Sequence, residues 1–229
     1  MGTLITGISS MATRALLAEL AAAYQAQHGV QVLITSVGGV DAAKRVQVGE
    51  VFDLVVLASD TIDKLISSGQ VVAGSRVDLV HSGVAVAVPA GAALPDISSE
   101  DAVRNAVLAA RKIGYSTGPS GVQLAKLFDR WGITAAVQSR TVLAPPGVPV
   151  AALVARGEVN LGFQQLSELL HVPGITTVGP LPPAIQITTT FSAGLCVASA
   201  QAPAVRALFG FLTSPASADA KRKQGMDPA

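Results

Sequence analysis

Cysteine, histidine, aromatic rings and charge are all scarce in this chain of 229 residues, and each scarcity removes a class of function. The one cysteine, Cys196, cannot form an internal disulfide; within the apolar run GLCVA it reads as a buried structural thiol. Together with three scattered histidines it shows no metal-ligand spacing, so no metal and no other cofactor is expected. Lys and Arg number 16 against 15 Asp and Glu, and no basic cluster precedes Lys221-Arg222-Lys223. That triplet reads as capping and solvating a terminal helix, which argues against nucleic acid as a partner. No apolar run is long enough to span a bilayer, so no membrane insertion is expected. The N-terminus shows neither a basic n-region nor an apolar h-region. The chain is therefore expected in the periplasm if a signal peptide has been trimmed from it, and in the cytoplasm otherwise. No Lys-Ser/Thr follows STGPSG to make a phosphate-binding P-loop, and no serine has a histidine–acid arrangement beside it in sequence.

Half of the residues are hydrophobic and the mean hydropathy is +0.50. With aromatics at 4%, the core must be Ala, Val and Leu, which suits helices packed closely on a mostly parallel sheet, an α/β fold. The stretch Ile113–Gly121 (IGYSTGPSG) is the most informative. A short strand ends at Tyr115. Ser116, Thr117, Gly118, Pro119, Ser120 and Gly121 form a small, hydroxyl-rich loop, and a helix spaced on Val122, Leu124, Leu127, Phe128 and Trp131 follows. Strand, Gly/Ser loop and helix start is the geometry that aims backbone N–H groups at an anion. A second loop of this kind, Ile8-Ser9-Ser10-Met11, lies between the strand Leu4–Gly7 and the helix Ala12–Gln27. Two such loops suggest two half-sites for one small anion, meeting across a cleft.

Strand and helix alternate along the chain, which implies parallel strands with right-handed crossovers. Strands are expected at Leu4–Gly7, Val30–Thr35 and Leu54–Leu57, with helices at Asp41–Val48 and Thr61–Ser68. Functional residues then gather at the strands' carboxyl ends, where Ser36-Val37-Gly38-Gly39 and Ala58-Ser59-Asp60 join the first loop. The extended run Arg76–Pro89 leaves this first series. A second follows with helix Asp101–Ala110, strand Lys112–Tyr115, strand Thr141–Leu143, helix Val148–Arg156 and strand Asn160–Phe163. The strand Ala193–Ala198 returns, and the helix Pro203–Leu212 packs back on the first series. The expected domains are therefore 1–80 plus 196–229 as lobe I and 84–190 as lobe II, with hinge strands at about 79–89 and 185–197. The ligand site is expected between the lobes.

In this order the segments ISSMATRALLAELAAAYQAQHGVQV, GGVDAAKRVQVGEVFDLVVLASD, AGSRVDLVHSGVAVAVP, ALVARGEVNLGF and FLTSPASADAKRKQGM resemble the type II periplasmic solute-binding proteins, most closely the molybdate-binding branch. The resemblance covers nearly the whole length. It implies a two-lobed Venus-flytrap fold closing on a small anion, with an ABC permease as partner if the protein is exported. It also implies ligand-binding roles for Ser9, Ser10 and Ser59. The loop of Ser116, Thr117, Gly118, Ser120 and Gly121, a ligand candidate on its own geometry, is richer in hydroxyls than a plain molybdate binder needs. Where the family carries a second serine this chain has Gly38 and Gly39, and where it carries a late tyrosine this chain has Phe163-Gln164-Gln165. Amides in place of a phenol imply a larger or differently shaped ligand, such as a carboxylate. Relatives of the branch include enzymes similar to aconitate isomerase, so a proton-shifting isomerase of a small unsaturated carboxylate is the alternative to a binder.

For that alternative His81, on the run linking the lobes, is the candidate base, against a purely structural hinge role. His28 and His171 read as solvent-facing residues at helix ends. Arg14, in a first helical turn, can clamp a carboxylate or pair with Glu19 on the surface. Strand alternation sends only one of Gln164 and Gln165 inward. Asp60 reads as a helix cap.

Overall fold

The computed structural model describes residues 3–145 and 147–229. Strand β1 (Leu4–Ser10) runs through one turn of 3-10 helix, Met11–Thr13, into α1 (Arg14–His28). This helix stops at Gly29, whose φ of 66° is open to glycine at no steric cost. Next come β2 (Gln31–Val37), α2 (Gly39–Gln47), β3 (Leu54–Ala58), α3 (Ser59–Ser67) and the long β4 (Val77–Pro89). The second series is α4 (Glu100–Ala109), β5 (Ile113–Ser116), α5 (Pro119–Arg130), α6 (Thr134–Val137), β6 (Thr141–Ala144), α7 (Val150–Ala155), β7 (Leu161–Gln165), α8 (Leu166–Leu169) and β8 (Ile175–Pro180). The chain returns through β9 (Thr188–Leu195) and closes with α9 (Ala202–Leu212), α10 (Ala218–Lys223) and β10 (Met226–Pro228).

Two compact units result. One runs up to His81 and resumes at Thr190; the other is Ser82–Thr189. The chain therefore crosses between them twice, inside β4 and inside β9.

In the first unit β1 lies between β2 and β3, parallel to both, and β9 pairs antiparallel with β3. Alternation along β1 sends Ile5 into one apolar layer, with Leu16, Leu17, Leu20 and Leu208, and Ile8 into the other, with Val46, Leu57, Ile62 and Leu65. An ion-pair group holds the start of β4: Arg76 Nη1 lies 2.7 Å from Asp63 Oδ2, and its Nε lies 2.9 Å from Asp78 Oδ1. Ser192 of β9 donates to the same Asp78 oxygen at 2.6 Å. In the second unit β4 is flanked by β7 and β8, both antiparallel to it, while β5 lies between β6 and β7, parallel to both. One face packs Val84, Val86 and Phe163 against Leu124, Leu127 and Phe128 of α5. The other packs Ala85 and Ala87 against Ala151 and Leu169.

Several sequence expectations need correction. Strand β1 does not stop at Gly7 but runs on to Ser10, because Ser9 and Ser10 continue the parallel pairing with Ser36 and Val37. Helix α5 starts at Pro119 rather than Val122, so Ser120 and Gly121 are first-turn helical residues; proline's fixed φ suits that first position. The returning strand ends at Leu195, and β8 and β10 are strands that the sequence pattern hid. Asp60 lies inside the first turn of α3, and the capping position belongs to Ala58. Lys221 is not solvated: it is 2% exposed, and burial lowers the pKa of its ammonium.

Glycine carries the close packing of α5 on β5. A side chain on Gly121 would overlap the carbonyl oxygen of Ser116. We expect Gly121→Ala to cost about 3 kcal/mol or more. Gly210, exposed within α9 with open space around it, is the contrast: Gly210→Ala should stabilise by about 0.5–1 kcal/mol. Urea unfolding of the two variants checks both signs.

Candidate functional site

The first four N–H groups of a helix have no partner within it. Helix α4, away from the strand ends, solves this locally, since Ser99 Oγ accepts from Ala102 N at 3.1 Å. The helices that follow the parallel strands do not. Neither α1, α2 nor α3 has a side-chain cap, and nor does α5. The 3-10 turn before α1 takes up its first N–H, since Arg14 N donates to the Met11 carbonyl oxygen. The first turns of α2, α3 and α5 have no side-chain cap at the carboxyl ends of β2, β3 and β5 and carry a partial positive charge. No lysine or arginine lies within Ser36–Val40, Ala58–Asp60 or Ser116–Gly121. An anion there is met by dipoles and hydroxyls.

In the first unit, alternation separates the two serines that end β1. Ser9 is fully buried and its hydroxyl is committed, 2.8 Å from Ser36 Oγ across the parallel pair. Ser10 points to the layer under α2 and α3, where a Cβ on Gly39 would come within 3.7 Å of its Cβ. Its Oγ is buried with no partner. An unpaired buried hydroxyl costs about 1–3 kcal/mol, so Ser10 is the hydroxyl with capacity left for a ligand. Thr13 is fully buried and donates to Ser10's carbonyl oxygen at 3.2 Å, holding the turn. The sequence places Ser36 at a strand end but does not pair it with Ser9, since only the register of β1 on β2 sets the two opposite each other. Gly38, Gly39 and Ser59 sit at the starts of α2 and α3, all half-buried. Arg14 is exposed and, among the described residues, makes no ion pair. Glu19 pairs instead with Lys223, at 3.3 Å. His81 Nδ1 lies 2.9 Å from Thr190 Oγ1. His28 stacks on Tyr24 at a centroid distance of 4.4 Å, and His171 sits at a positive φ of 62°.

In the second unit Ser116 Oγ accepts from Gly118 N at 3.3 Å, shaping the loop before α5. Thr117 is exposed, Gly118 and Ser120 are half-buried, and Gly121 is buried against Ser116. Gln164 and Gln165 are both buried, on opposite faces of β7. Gln164 is fully used: its Oε1 accepts from Ala151 N at 2.9 Å, and its Nε2 donates to Glu168 Oε1 at 2.9 Å. Gln165 Nε2 donates to Thr189 Oγ1 at 2.9 Å, while its Oε1 has no partner. Glu168 is the titratable group the sequence did not single out. Among the described residues it makes no ion pair, and burial pushes its carboxyl up to about 7, partly offset by the Gln164 hydrogen bond. Cys196 is buried, and that burial, with the charge of Asp53, pushes its thiol up to about 12, so it stays unreactive at neutral pH.

Two grooves lie elsewhere. One, of about 270 Å³, is lined by Gln123, Lys126, Arg130 and Ala184–Ile187; the other, of about 190 Å³, by residues around Cys196. Among the described residues no group of three or more His, Cys, Asp or Glu is placed to hold a metal, and no helix is long and apolar enough to cross a membrane.

Two α/β units linked by two crossing strands, with open helix starts at the parallel strands' ends, define a solute-binding architecture. The chain belongs to the bacterial extracellular solute-binding protein family, whose model matches residues 5–227. It has the two-lobed type II periplasmic-binding-protein fold. It is similar to the periplasmic molybdate-binding protein of Azotobacter vinelandii (TM-score 0.80, 19% identity, 97% of this chain and 98% of that one). The sulfate-binding protein of Mycobacterium tuberculosis H37Rv is also similar (TM-score 0.81, 18% identity, 99% and 87%). Among curated proteins, an aconitate isomerase of Pseudomonas sp is 39% identical over 99% of this chain and 88% of its own length.

Glu168 makes the stability of the fold depend on pH. The unfolded chain binds the carboxyl proton up to pH 4.5, and the folded chain up to about 7. Between these values the folded state binds more protons, so stability falls as pH rises through the window, by at most about 3 kcal/mol. Glu168→Gln keeps an acceptor for Gln164 and removes the titration. The variant should be more stable than the parent at pH 8 and no more stable at pH 4, in denaturant melts at the two values.

Proposed function

We propose that this chain is an isomerase of a small unsaturated polycarboxylate, with aconitate the first substrate to try. One observation carries the reading: 39% identity to an aconitate isomerase along nearly the whole chain, against 18–19% to the molybdate and sulfate binders of the same fold. The chemistry is a proton shift across an allylic carbon pair. A base takes a proton from the methylene carbon, the electron pair spreads through the double bond onto a carboxylate, and a proton returns at the far carbon. One C–H bond breaks, one forms, the double bond moves, and no oxidant is needed.

In this reading the ligand is held by dipoles and hydroxyls. Ser10 and the open N–H groups of α2, α3 and α5 hold its carboxylates and the charge that develops on them, as fixed dipoles that need no reorganisation. Ser9 holds its place through Ser36, and the Ser116–Gly121 loop supplies donors from the second unit. His81 is the proposed base, with Nδ1 engaged by Thr190 and Nε2 left to take the proton. Glu168 is the second candidate, because a carboxyl that titrates near 7 is matched to proton transfer at neutral pH. A binder of a small carboxylate, delivering it to an ABC permease, is the second reading. The shortage of cations at the strand ends, where among the described residues Arg14 alone opens a helix, favours it.

Incubation with trans-aconitate in deuterated buffer, followed by proton NMR, tests the proposal. The expected result is conversion to the cis isomer, with His81→Ala slowing it by about 10²–10⁴-fold if His81 is the base. An equal loss in Glu168→Gln, with His81→Ala near normal, would move that role to Glu168. Saturable binding with no conversion and no exchange of carbon-bound hydrogen would discard the isomerase and leave the binder.

A further inference from the structure

The second unit contains a polar spot that no hydrogen bond of the fold explains. Val84 of β4 pairs with Gln165 of β7, so both side chains lie on one face, and Ser82, two residues before Val84, lies on that same face. Ser82 is fully buried and Gln165 is 4% exposed. Ser82 Oγ and Gln165 Oε1 are both buried without a partner. Thr189 Oγ1 anchors the other end of the Gln165 amide at 2.9 Å. The rest of the face is apolar, continuing through Val84, Val86 and Phe163. Two orphaned polar atoms on one otherwise apolar face are costly in the ligand-free protein, and a ligand that supplies their missing partners would remove that cost.

Their chemistry specifies the guest. Ser82 offers an O–H donor, and the anchored amide of Gln165 offers a carbonyl acceptor. Among the described residues no cation hydrogen-bonds to Ser82, Gln165 or Thr189. A bare oxyanion brings acceptors only, and it would leave Gln165 Oε1 unsatisfied. A second ionised carboxylate on this apolar, cation-free face would lose its hydration without a counter-charge.

We propose that Ser82, Gln165 and Thr189 form a subsite for a neutral group that both donates and accepts: the protonated carboxyl of an organic acid. Inorganic oxyanions are thereby disfavoured. This rests on the polycarboxylate reading above and names what that site selects: an acid bound with one of its carboxyl groups carrying a proton. Thr189 acts as a positioning residue, holding the amide so that its carbonyl faces the subsite.

Calorimetric titration of the intact protein with trans-aconitate at pH 7.5, in two buffers of different ionisation enthalpy, reads the proton directly. We expect net uptake of about one proton in the parent, weaker binding of sulfate and molybdate than of trans-aconitate, and loss of the uptake in Gln165→Leu. Ser82→Ala should weaken trans-aconitate about tenfold while leaving the melting temperature of the ligand-free protein unchanged or raised, since it removes an unsatisfied group. A raised melting temperature with undiminished binding would mean that the spot holds only water, and would overturn the proposal. So would weakened binding without proton uptake, which would mean that an ionised group sits there. Failure of the parent to bind or convert trans-aconitate would remove the polycarboxylate reading itself. Binding and conversion that ignore both substitutions would remove the subsite alone.

Discussion

A parallel strand that turns directly into a helix leaves N–H groups that nothing in the element can satisfy, and much of this molecule's chemistry follows from where they are left open. Helix α4 spends a serine on its own start and is finished. Helices α1, α2, α3 and α5 spend nothing, although serines and threonines lie within reach in the sequence. Ser10 keeps its hydroxyl free, Ser9 gives its own to Ser36, and Ser116 uses its own to shape the turn before Gly118. Aligned dipoles worth about half an elementary charge at each helix start replace the cations a conventional anion site would carry. Such a site holds an anion without a long, mobile side chain to order, so it suits a protein that must release as well as bind.

That arrangement demands close approach of helix and sheet, which explains the composition. Large aromatic residues would hold the layers apart. Gly114 and Gly162 admit Val150, Val154 and Val159 to van der Waals contact with the strand backbone, and Gly194 admits Val71. Gly121 does the same for α5, bringing its first turn down onto the end of β5. The shortage of rings and the abundance of Ala, Val and Gly are consequences of one packing requirement, the same one that fixes the helix starts at the strand ends.

How far this is legible from sequence depends on whether the determining contact is local. The βα alternation, the strand ends and the hydroxyl-rich stretches are local patterns, and β1, β2, β3, β5 and β7 lie where their patterns set them. Strand β8, Ile175–Pro180, is hidden because its short β-branched run is bounded by Gly and Pro, so it reads as a loop; pairing with β4 makes it a strand. The pairing of Ser36 with Ser9 is hidden because it depends on register across 27 residues. The neutral-range acidity of Glu168 and the burial of Lys221 come from tertiary packing, and a charged residue on a short helix gives no local sign of it. The Gln164–Gln165 pair shows the boundary well. Alternation says that the two amides part company, and only the fold shows which one the structure consumes.

The same comparison bears on how one fold serves both capture and chemistry. An anion binder needs its polar groups satisfied by the guest and nothing more; a proton-shifting enzyme also needs a group whose protonation is balanced near neutral pH. Uncharged donors at helix starts meet the first need and leave room for the second, because a lysine or arginine there would pull nearby acids down and strip them of their proton at pH 7. Glu168 keeps its proton to about 7 because burial disfavours its charged form, and Gln164 holds its carboxyl in place without supplying charge. Uncharged donors at the helix starts make the dipoles the principal counter-charge for a ligand, and burial leaves Glu168 in the range where a carboxyl can exchange a proton.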